Sequence, residues 1–593
     1  MKLNLNFSLV CFSVVLIYAC ASQKERGLVG HQKERGLVGY WKLQRDCNDY
    51  SGQGNHGINH GVKLDSGVFN GTDAYIEIPS SPSLQLGTGD FSISAWVYTE
   101  NEINGMVGDV MEKYDPALRK GITLSINSSA GGYQSQGTDR HVYFGIDNAK
   151  STDWEDCGRP SLTSNYVSNS LTVFKGKLYA AITGAKEEKD WAHVFRYEGN
   201  QKWTDCGKVG NDKTAGVGPL IVHNGDLYAI TSTLDWTRVH EETYGPGRVY
   251  RYAGGTQWND LGQPGDSRTL HCAASYKGKL YVGVGPDTWA VFTQDKNNQW
   301  KVSKIFPKEG PQRLFPHCMS TYNGKLYVGM QSVHSFDGEK WTYAGVPVKP
   351  QSTLQTQSLS VYQGRLIAGT WPEAKVSRYL GGENWEEFGR VGEDGTEVNA
   401  LVVYNGKLYG GSIPRAEVCR YDDDPIWTSL KRFYSPDGWI PALPFSKSRQ
   451  ESNEWSRLTS LTIYNGKLFA STGSCTSSPL DAPADVRGKV FNMEAGKNAT
   501  FDDDLGSGWK HLAAVREKGL LKLYIGGKFV ASSSSFEPAD YNVANDKPLH
   551  IGSGQFNYFY GKIAEVRMYN RALDEGEIRK LSTTFKDHPY QRR

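Results

Sequence analysis

The chain has 593 residues, of which 22% are charged and 12% aromatic, and it contains 66 glycines. One hydrophobic core rarely serves more than ~250–300 residues, so several domains are expected. The formal net charge of +2 supplies no broad basic surface, which argues against nucleic acid and charged membrane surfaces as partners. The composition favours a turn-rich, all-β protein.

The N-terminus carries one apolar run, Phe7 to Ala19. The run is too short to span a membrane but suits the hydrophobic region of a secretory signal, which predicts a signal peptide over residues 1–21. The letters "IYAC" ending at Cys20 resemble a bacterial lipoprotein cleavage motif, and ordinary cleavage among these small residues is the alternative. The sequence therefore predicts an exported protein, either extracellular or an outer-membrane lipoprotein whose only membrane contact is its lipid. Residues 22–35 would form a tether.

Two flanking segments, residues 36–148 and 497–582, read as two halves of one domain. The first contains "GLVGYWKL", "FNGTDAYIEIP" and "FSISAWVY", and the second contains "GWKHLAAVREKGLLKLYIGGKFVAS" and "GKIAEVRMYNRALDEGEIRKL". Together they resemble the LamG-like, concanavalin A-like jelly-roll family, whose second half typically ends in such a strand and short helix. The resemblance implies a β-sandwich of the kind used for carbohydrate or protein adhesion, and it names no ligand. Residues 583–593 would form a tail.

A Gly-rich loop of the first flank offers oxygen ligands from Asp46, Asn48, Asp49 and Asn55. These residues are compatible with calcium, but the acidic spacing of a calcium loop is missing, so a surface turn is favoured. No other cofactor is predicted. Seven cysteines follow Cys20, an odd and sparse set that indicates small buried thiols and not a disulfide framework.

A pattern close to aromatic-x-Gly-Lys-Leu-aromatic recurs seven times between the flanks. Its central glycines are Gly176, Gly225, Gly278, Gly324, Gly364, Gly406 and Gly466. Each copy predicts two strands, A and B, joined by a tight turn, and a second hairpin of strands C and D follows in most units. This spacing is typical of propeller blades. The sequence predicts a seven-bladed β-propeller over residues 150–496, since an extended array of hairpins would leave edges unpaired.

The last unit lacks the "W-x-D-x-G" strand of its predecessors, and that strand appears instead before the first unit, at residues 152–158. We therefore expect this strand to close the last blade. The two ends of the propeller then meet, which allows the propeller to be inserted into the sandwich. The A–B and C–D turns are short, whereas the B–C and D–A loops are long and share the opposite end of every blade. Long loops on a rigid scaffold usually carry function, so the sandwich should pack on the short-loop end and leave the long-loop mouth open.

The residue seven positions before each turn glycine lies at the start of strand A, near this mouth. These residues are Asn169, Gly218, His271, His317, Gln357, Asn399 and Thr459. Six of the seven are polar, which predicts a polar ring, and His271 and His317 lie on the neighbouring third and fourth blades. The adjacent loops add Arg238, His240, Tyr244, Arg268, Arg313, Trp371 and Arg415.

Three roles for this ring stay open. These roles are to hold ordered water alone, to bind a ligand, and to catalyse a reaction. In a catalytic role, His271 and His317 would act as base and acid, and Tyr244 or Arg268 would help to neutralise a uronate during β-elimination. In a binding role the contacts would come from Asn169, Gln357, Asn399, Thr459, Arg238, His240, Arg313, Trp371 and Arg415. No Asp or Glu lies at a sequence spacing from His271 or His317 that is typical of a metal site, so no metal is predicted here. The mouth carboxylates Glu241, Glu242, Glu373, Glu397 and Glu417 occupy unrelated loop positions, and most of them are expected to be solvated, which disfavours a hydrolase.

The sequence favours an exported, monomeric carbohydrate-binding protein that acts on extracellular polysaccharide through the propeller mouth and the jelly roll. The alternatives are a polysaccharide-degrading enzyme, a lyase before a glycoside hydrolase, and a protein–protein interaction scaffold. Whether the protein is an enzyme is left open.

Overall fold

The computed structural model describes residues 34–103, 105–128, 135–137, 139–164, 167–183, 191–232, 246–285, 288–307, 315–348, 355–434, 456–474 and 487–585. The described residues from Gly36 onward form one compact unit. No helix within the described ranges is long and apolar enough to cross a membrane. The predicted signal peptide and most of the tether lie outside these ranges.

The first flank forms nine strands. They are β1 (Leu37–Trp41), β2 (Ile58–His60), β3 (Val68–Asn70), β4 (Tyr75–Ile78), β5 (Phe91–Thr99), β6 (Gly108–Asp115), β7 (Lys120–Asn127), β8 (Ser135–Gln136) and β9 (His141–Ser151). The second flank adds β38 (Ala495–Phe501), β39 (Gly508–Glu517), β40 (Leu520–Ile525), β41 (Lys528–Ser532), β42 (Leu549–Ile551), β43 (Tyr560–Tyr569) and helix α1 (Glu575–Leu581). Short 3₁₀ turns occur at Pro82–Leu84 and Pro538–Asp540.

The two flanks build one sandwich of two seven-stranded sheets. One sheet has the order β1-β43-β5-β39-β40-β41 with β3 beside β43, and the other has the order β2-β4-β42-β6-β7-β9-β38. Each sheet therefore mixes strands from both flanks. Alternate residues along the strands point into a common core that includes Trp41, Phe69, Phe91 and Phe144, all fully buried. The prediction of an all-β fold with a jelly roll split by an inserted propeller is confirmed.

The propeller comprises 28 strands, β10 to β37, arranged as seven four-stranded blades. The first three blades contain β11 (Val167–Phe174), β12 (Lys177–Ile182), β13 (His193–Gly199), β14 (Lys202–Lys208), β15 (Gly216–His223), β16 (Asp226–Ser232), β17 (Val249–Gly254), β18 (Gln257–Asp260), β19 (Thr269–Tyr276), β20 (Lys279–Gly285), β21 (Ala290–Gln294) and β22 (Trp300–Ile305). The fourth and fifth contain β23 (Cys318–Tyr322), β24 (Lys325–Gly329), β25 (Val333–Phe336), β26 (Trp341–Tyr343), β27 (Gln355–Tyr362), β28 (Arg365–Trp371), β29 (Lys375–Gly381) and β30 (Asn384–Arg390). The last two contain β31 (Glu397–Tyr404), β32 (Lys407–Ile413), β33 (Glu417–Asp423), β34 (Ile426–Arg432), β35 (Ser456–Tyr464), β36 (Lys467–Ser474), β37 (Val490–Met493) and β10 (Glu155–Asp156).

The last blade is closed by a strand from the other end of the propeller. Strand β10 pairs antiparallel with β37, and Glu155 lies opposite Asn492. The strand that precedes the first blade thus supplies the outer strand that the seventh unit lacks. This pairing brings β9 and β38, the two sandwich strands that flank the propeller, side by side.

The repeated residues of the blades form hydrogen bonds between neighbours. The hydroxyl of the strand A tyrosine donates to the turn glycine of the next blade, as from Tyr322 to Gly364 (2.9 Å) and from Tyr404 to Gly466 (2.8 Å). The indole of the strand D tryptophan donates to a carbonyl of the preceding blade, as from Trp258 to Cys206 (3.0 Å). Blade-to-blade bonding therefore explains why the tyrosine and tryptophan recur.

The sandwich packs on the short-loop end of the propeller, as the loop lengths predict. Turn backbone and side chains bond to the sheet that contains β9 and β38, through Asn405 Nδ2 to the Ile146 carbonyl (3.0 Å) and through the Gly466 amide to Thr500 Oγ1 (2.9 Å). The loop after β42 reaches the fifth blade, where the Gly364 amide donates to the Phe556 carbonyl (3.2 Å). The propeller thereby covers this sheet.

The outward face of the other sheet is also occupied. Helix α1 packs its Ile578 and Leu581 against Tyr524 and Tyr569. Beside it, Phe585 stacks on Trp96 with 4.5 Å between ring centroids and lies 4.6 Å from Trp509. Both faces of the sandwich are therefore used for packing within the chain.

The Gly-rich loop of the sandwich is a hydrogen-bonded turn. One oxygen of Asp49 accepts hydrogen bonds from the amides of Tyr40 (2.9 Å) and Ser51 (2.8 Å). Its other oxygen accepts from the Ser51 hydroxyl (2.8 Å) and the Asn55 amide (2.9 Å). The carboxylate that calcium would need is engaged by the loop itself. All six described cysteines are free thiols, and five of them are buried.

Candidate functional site at the propeller mouth

The polar ring coincides with a β-bulge at the start of strand A. In the blades of β19, β27, β31 and β35, the register shifts at His271, Gln357, Asn399 and Thr459. Similar shifts span residues 168–170 and 218–219 in the first two blades, and His317 directly precedes β23. A bulged residue has no cross-strand partner, and its side chain is re-aimed. The bulge thus leaves this position outside the cross-strand pairing, which explains how its residue can differ from blade to blade.

The two histidines pack against each other within an aromatic group. Their ring centroids lie 4.8 Å apart at an angle of 80°, and Phe315 lies 4.5 Å from His317 and 5.1 Å from His271. Only 6% of His271 and 2% of His317 is exposed. Burial, reinforced by the nearby His317 and Arg457, holds the pKa of His271 well below its usual value. The His271 imidazole is therefore neutral at physiological pH.

The remaining described members of the ring are uncharged hydrogen-bonding groups. Gln357 donates through its side-chain amide to Gln355, and the hydroxyl of Thr459 lies 2.7 Å from that of Ser471. Asn399 is completely buried, and among the described residues neither its Oδ1 nor its Nδ2 has a hydrogen-bond partner. Buried side-chain amides are nearly always satisfied, so an unsatisfied one needs an explanation.

A second layer of side chains lies two residues before the ring. It contains Thr269, Phe315, Gln355, Glu397 and Arg457. Arg457 bonds to Glu397 (2.9 Å), and this pair joins the sixth and seventh blades. Side chains two residues apart on a strand lie on the same face, so stepping back two residues from each ring position would have identified this layer in the sequence. Among the mouth carboxylates, Glu397 and Glu417 are not solvated, because both are buried in ion pairs, Glu417 with Arg432 at 2.9 Å.

The structure places the other predicted site residues as follows. Trp371 is half-buried at the end of β28, opposite Gln355. Arg415 bonds to Asp394 (2.8 Å), and Arg268 is exposed just before β19. Strand β11 contains Asn169, whose side chain is not described. Tyr244, Arg238, His240 and Arg313 lie outside the described residues. His271, His317, Gln357, Asn399 and Thr459 are thus the predicted residues that the described structure brings together at the channel.

The described ring contains imidazole, amide and hydroxyl groups, and its charged neighbours Arg457 and Glu397 neutralise each other. In the described part of the chain, no three His, Cys, Asp or Glu side chains are grouped so as to hold a metal ion. This arrangement can donate and accept hydrogen bonds to an uncharged polar ligand.

Comparisons with known proteins match parts of this chain. The model of the concanavalin A-like lectin/glucanases superfamily matches residues 455–579, which comprise three of the four strands of the last blade and most of the second sandwich half. No curated protein sequence matches the chain significantly. Similar solved structures include virginiamycin B lyase from Staphylococcus aureus (10% identity, 58% of this chain and 99% of that chain, TM-score 0.41). They also include YCF48 from Cyanidioschyzon merolae (8%, 58% and 99%, 0.37) and BamB from Moraxella catarrhalis (11%, 58% and 99%, 0.35).

These structural similarities concern the fold alone. The family match and the sheet topology together identify the architecture. The chain contains a LamG-like, concanavalin A-like jelly roll into which a seven-bladed β-propeller is inserted.

Proposed function

We propose that the protein binds a neutral polysaccharide at the long-loop mouth of its propeller. The observation that carries this proposal is Asn399, a fully buried amide at the ring position with both polar atoms unsatisfied. Leaving a buried polar group without a partner costs about 1–3 kcal/mol. A ligand hydroxyl that donates to Oδ1 and accepts from Nδ2 would recover this cost, which is a reason to retain the amide there.

The chemistry of the ring favours a neutral sugar over an acidic one. Arg457 is already bonded to Glu397, and Arg415 to Asp394. A uronate would have to compete with these carboxylates for its counter-charge. Sugar hydroxyls, in contrast, both donate and accept, and they suit amide, hydroxyl and neutral imidazole groups. Trp371, half-buried at the end of β28, adds apolar surface for the face of a sugar ring.

The propeller mouth is the better candidate surface, because the jelly roll uses both faces of its sandwich for packing within the chain. Glycan binding by the jelly roll itself, outside its two packed faces, stays a prediction. Export and a lipid on Cys20 also remain predictions from the sequence. Together they would place the binding protein outside the cell, where polysaccharide is available.

A second candidate is polysaccharide β-elimination, which the perpendicular contact of His271 and His317 favours. A neutral imidazole can accept the proton that elimination removes. The same burial that keeps His271 neutral disfavours a charged imidazolium as the general acid. Binding without bond cleavage is therefore the primary proposal. A protein–protein scaffold is the remaining alternative.

The test is native electrophoresis of the purified full chain in gels that contain single polysaccharides. Neutral gels would contain xylan, galactomannan, β-glucan or starch, and acidic gels would contain pectate or alginate. We expect retardation in at least one neutral gel and none in the acidic gels. Retardation by acidic polymers together with rising absorbance of unsaturated uronate would replace the proposal with the lyase. Unchanged mobility in every gel would reject glycan binding.

A further inference from the structure

A groove lies between the fifth and sixth blades, at the short-loop end of the propeller. It has a volume of about 210 Å³, and it is lined by the exposed Arg365 and Leu380 and by edges of the buried Ile367, Phe388 and Tyr421. Leu380 exposes 48% of its surface. Apolar cavities of ~150 Å³ already admit a benzene ring, so the groove has room for a large apolar side chain.

The apolar residues of this groove depart from the repeat. Three residues after the turn glycine, the other six blades have a tyrosine or phenylalanine, whereas the fifth has Ile367. In the fourth blade this aromatic residue, Tyr327, packs on Tyr379 of the next blade with 5.8 Å between ring centroids. In the fifth blade Phe388 takes over this contact and lies 5.2 Å from Tyr421 of the sixth. The boundary between the fifth and sixth blades is therefore built differently from that between the fourth and fifth.

A second departure removes the partner of a charge. The register of strands B and C, continued to the turn, sets the residue after the turn glycine against a residue of strand C. In five blades these two positions hold a lysine and an acid, namely Lys177 and Glu198, Lys279 and Asp295, Lys325 and Asp337, Lys407 and Asp422, and Lys467 and Glu494. Their charged groups are 3.9 Å apart in the first blade and 3.7 Å apart in the sixth. In the fifth blade the same register sets Arg365 against Leu380.

The charge of Arg365 is consequently not neutralised within its blade. Arg365 forms no ion pair or hydrogen bond with any described residue. The other charged residues of the groove are already paired, because Arg378 bonds to Glu386 and also to Asp424 of the sixth blade, each at 2.7 Å. A carboxylate from outside the chain would restore at Arg365 the ion pair that the repeat has lost.

We propose that this groove docks an acidic segment of a partner protein, in which an Asp or Glu lies next to a large apolar residue. The carboxylate takes the place of the missing acid beside Arg365, and the apolar side chain packs on Leu380. An arginine beside exposed apolar surface is typical of protein-binding sites. The groove also continues an existing interface, since Gln363 at its edge donates through Nε2 to Oε1 of Gln555 in the sandwich (2.9 Å). The site is separate from the mouth, and docking there does not depend on glycan binding.

The test is selection of a phage-displayed library of random short peptides on the full chain, with counter-selection on the Leu380→Asp variant. This variant regains the acid of the other blades, which should neutralise Arg365 and remove the exposed leucine. We expect the surviving peptides to share an Asp or Glu beside a large apolar residue. Fluorescence anisotropy then gives their Kd values, which the Arg365→Glu variant should raise at least tenfold, because like charges would face each other.

The matched control is Lys177→Glu, which makes the same change of charge at the equivalent position of the first blade and should leave every Kd unchanged. All three substituted side chains are exposed, and the Tm of each variant checks that it is folded. The proposal is overturned if no peptide survives, if the survivors lack an acidic residue, or if Arg365→Glu binds them as tightly as the wild type. Binding of pectate or alginate fragments that Arg365→Glu abolishes, with no peptide enriched, would assign the groove to an acidic glycan and also overturn the proposal.

Discussion

Replacing Asn399 with leucine is expected to abolish glycan binding and, at the same time, to make the protein more stable. Leucine has the same number of side-chain heavy atoms as asparagine and the same branching at Cγ, and it replaces two buried polar atoms that have no partner among the described residues. The free energy of unfolding should rise by about 1–3 kcal/mol, the usual cost of an unsatisfied buried polar group. The glycan loses both of its amide contacts, so affinity should fall at least tenfold. Chemical denaturation and isothermal titration measure the two effects.

Asn405 supplies the matched control. It is also a buried asparagine in the sixth blade, but its Nδ2 donates to the carbonyls of Ile146 (3.0 Å) and Ala495 (2.9 Å). The Asn405→Leu variant should therefore lose stability by about 1–3 kcal/mol, because two carbonyls lose their donor. Its mouth is unaltered, so any protein that remains folded should keep its affinity. A loss of stability in Asn399→Leu as large as in Asn405→Leu would contradict the assignment of Asn399 as an unsatisfied binding group.

The Asp109→Asn variant is expected to gain stability relative to the wild type as pH rises from 4 to 7. Burial raises the pKa of Asp109 from 3.8 to about 7 and that of Glu112 well above 4.5, and the two carboxyl groups repel each other when both are charged. Asp109 accepts hydrogen bonds from the amides of Phe556 and Asn557, and Glu112 accepts from that of Gln555. The pair thus holds the loop that docks on the fifth blade.

The direction follows from proton linkage. Since the folded pKa of Asp109 is raised, its stabilising contribution is complete below the unfolded value of 3.8 and is lost as pH rises toward about 7. The loss is about 1.4 kcal/mol per pH unit for each proton that the folded state retains. Asparagine cannot ionise, so the difference in Tm between variant and wild type should widen across this range. A constant difference in Tm across this range would contradict a protonated buried pair.

Most of the architecture could be predicted because each repeat has the same short sequence pattern at the same spacing. The strand A tyrosine and the strand D tryptophan form bonds between neighbouring blades at several of the repeats, as Tyr322, Tyr404 and Trp258 do, and their spacing from the turn glycine predicts both strand order and blade number. The closing strand follows from counting strands in the last unit. The ring at His271 and Asn399 could be found for the same reason, since each lies at a fixed distance from its turn glycine.

Other parts of the site depend on tertiary structure and leave no periodic signal. The segment that contains Ser135 and Gln136 alternates no apolar residues, so nothing in it predicts that β8 pairs with β19 in the third blade. The pairing of Glu397 with Arg457 joins two blades whose separation in sequence, about sixty residues, hides their contact. The sequence therefore could not predict that these two charged side chains are buried. It could not predict the burial of Asn399 either, because a polar residue at the start of a strand usually faces solvent.

The most direct test of the account is to follow the histidines by NMR during titration with the bound neutral glycan. The chain has 13 histidines. Selective labelling of their imidazoles, with assignment by substitution, distinguishes the signals of His271 and His317 from those of the other histidines. Glycan binding at the mouth predicts that the signals of His271 and His317 shift on binding. Those of His193 on the outer part of the first blade and His550 in the sandwich should stay in place. Shifts at His550 with no change at His271 and His317 would move the binding site to the jelly roll and contradict the account.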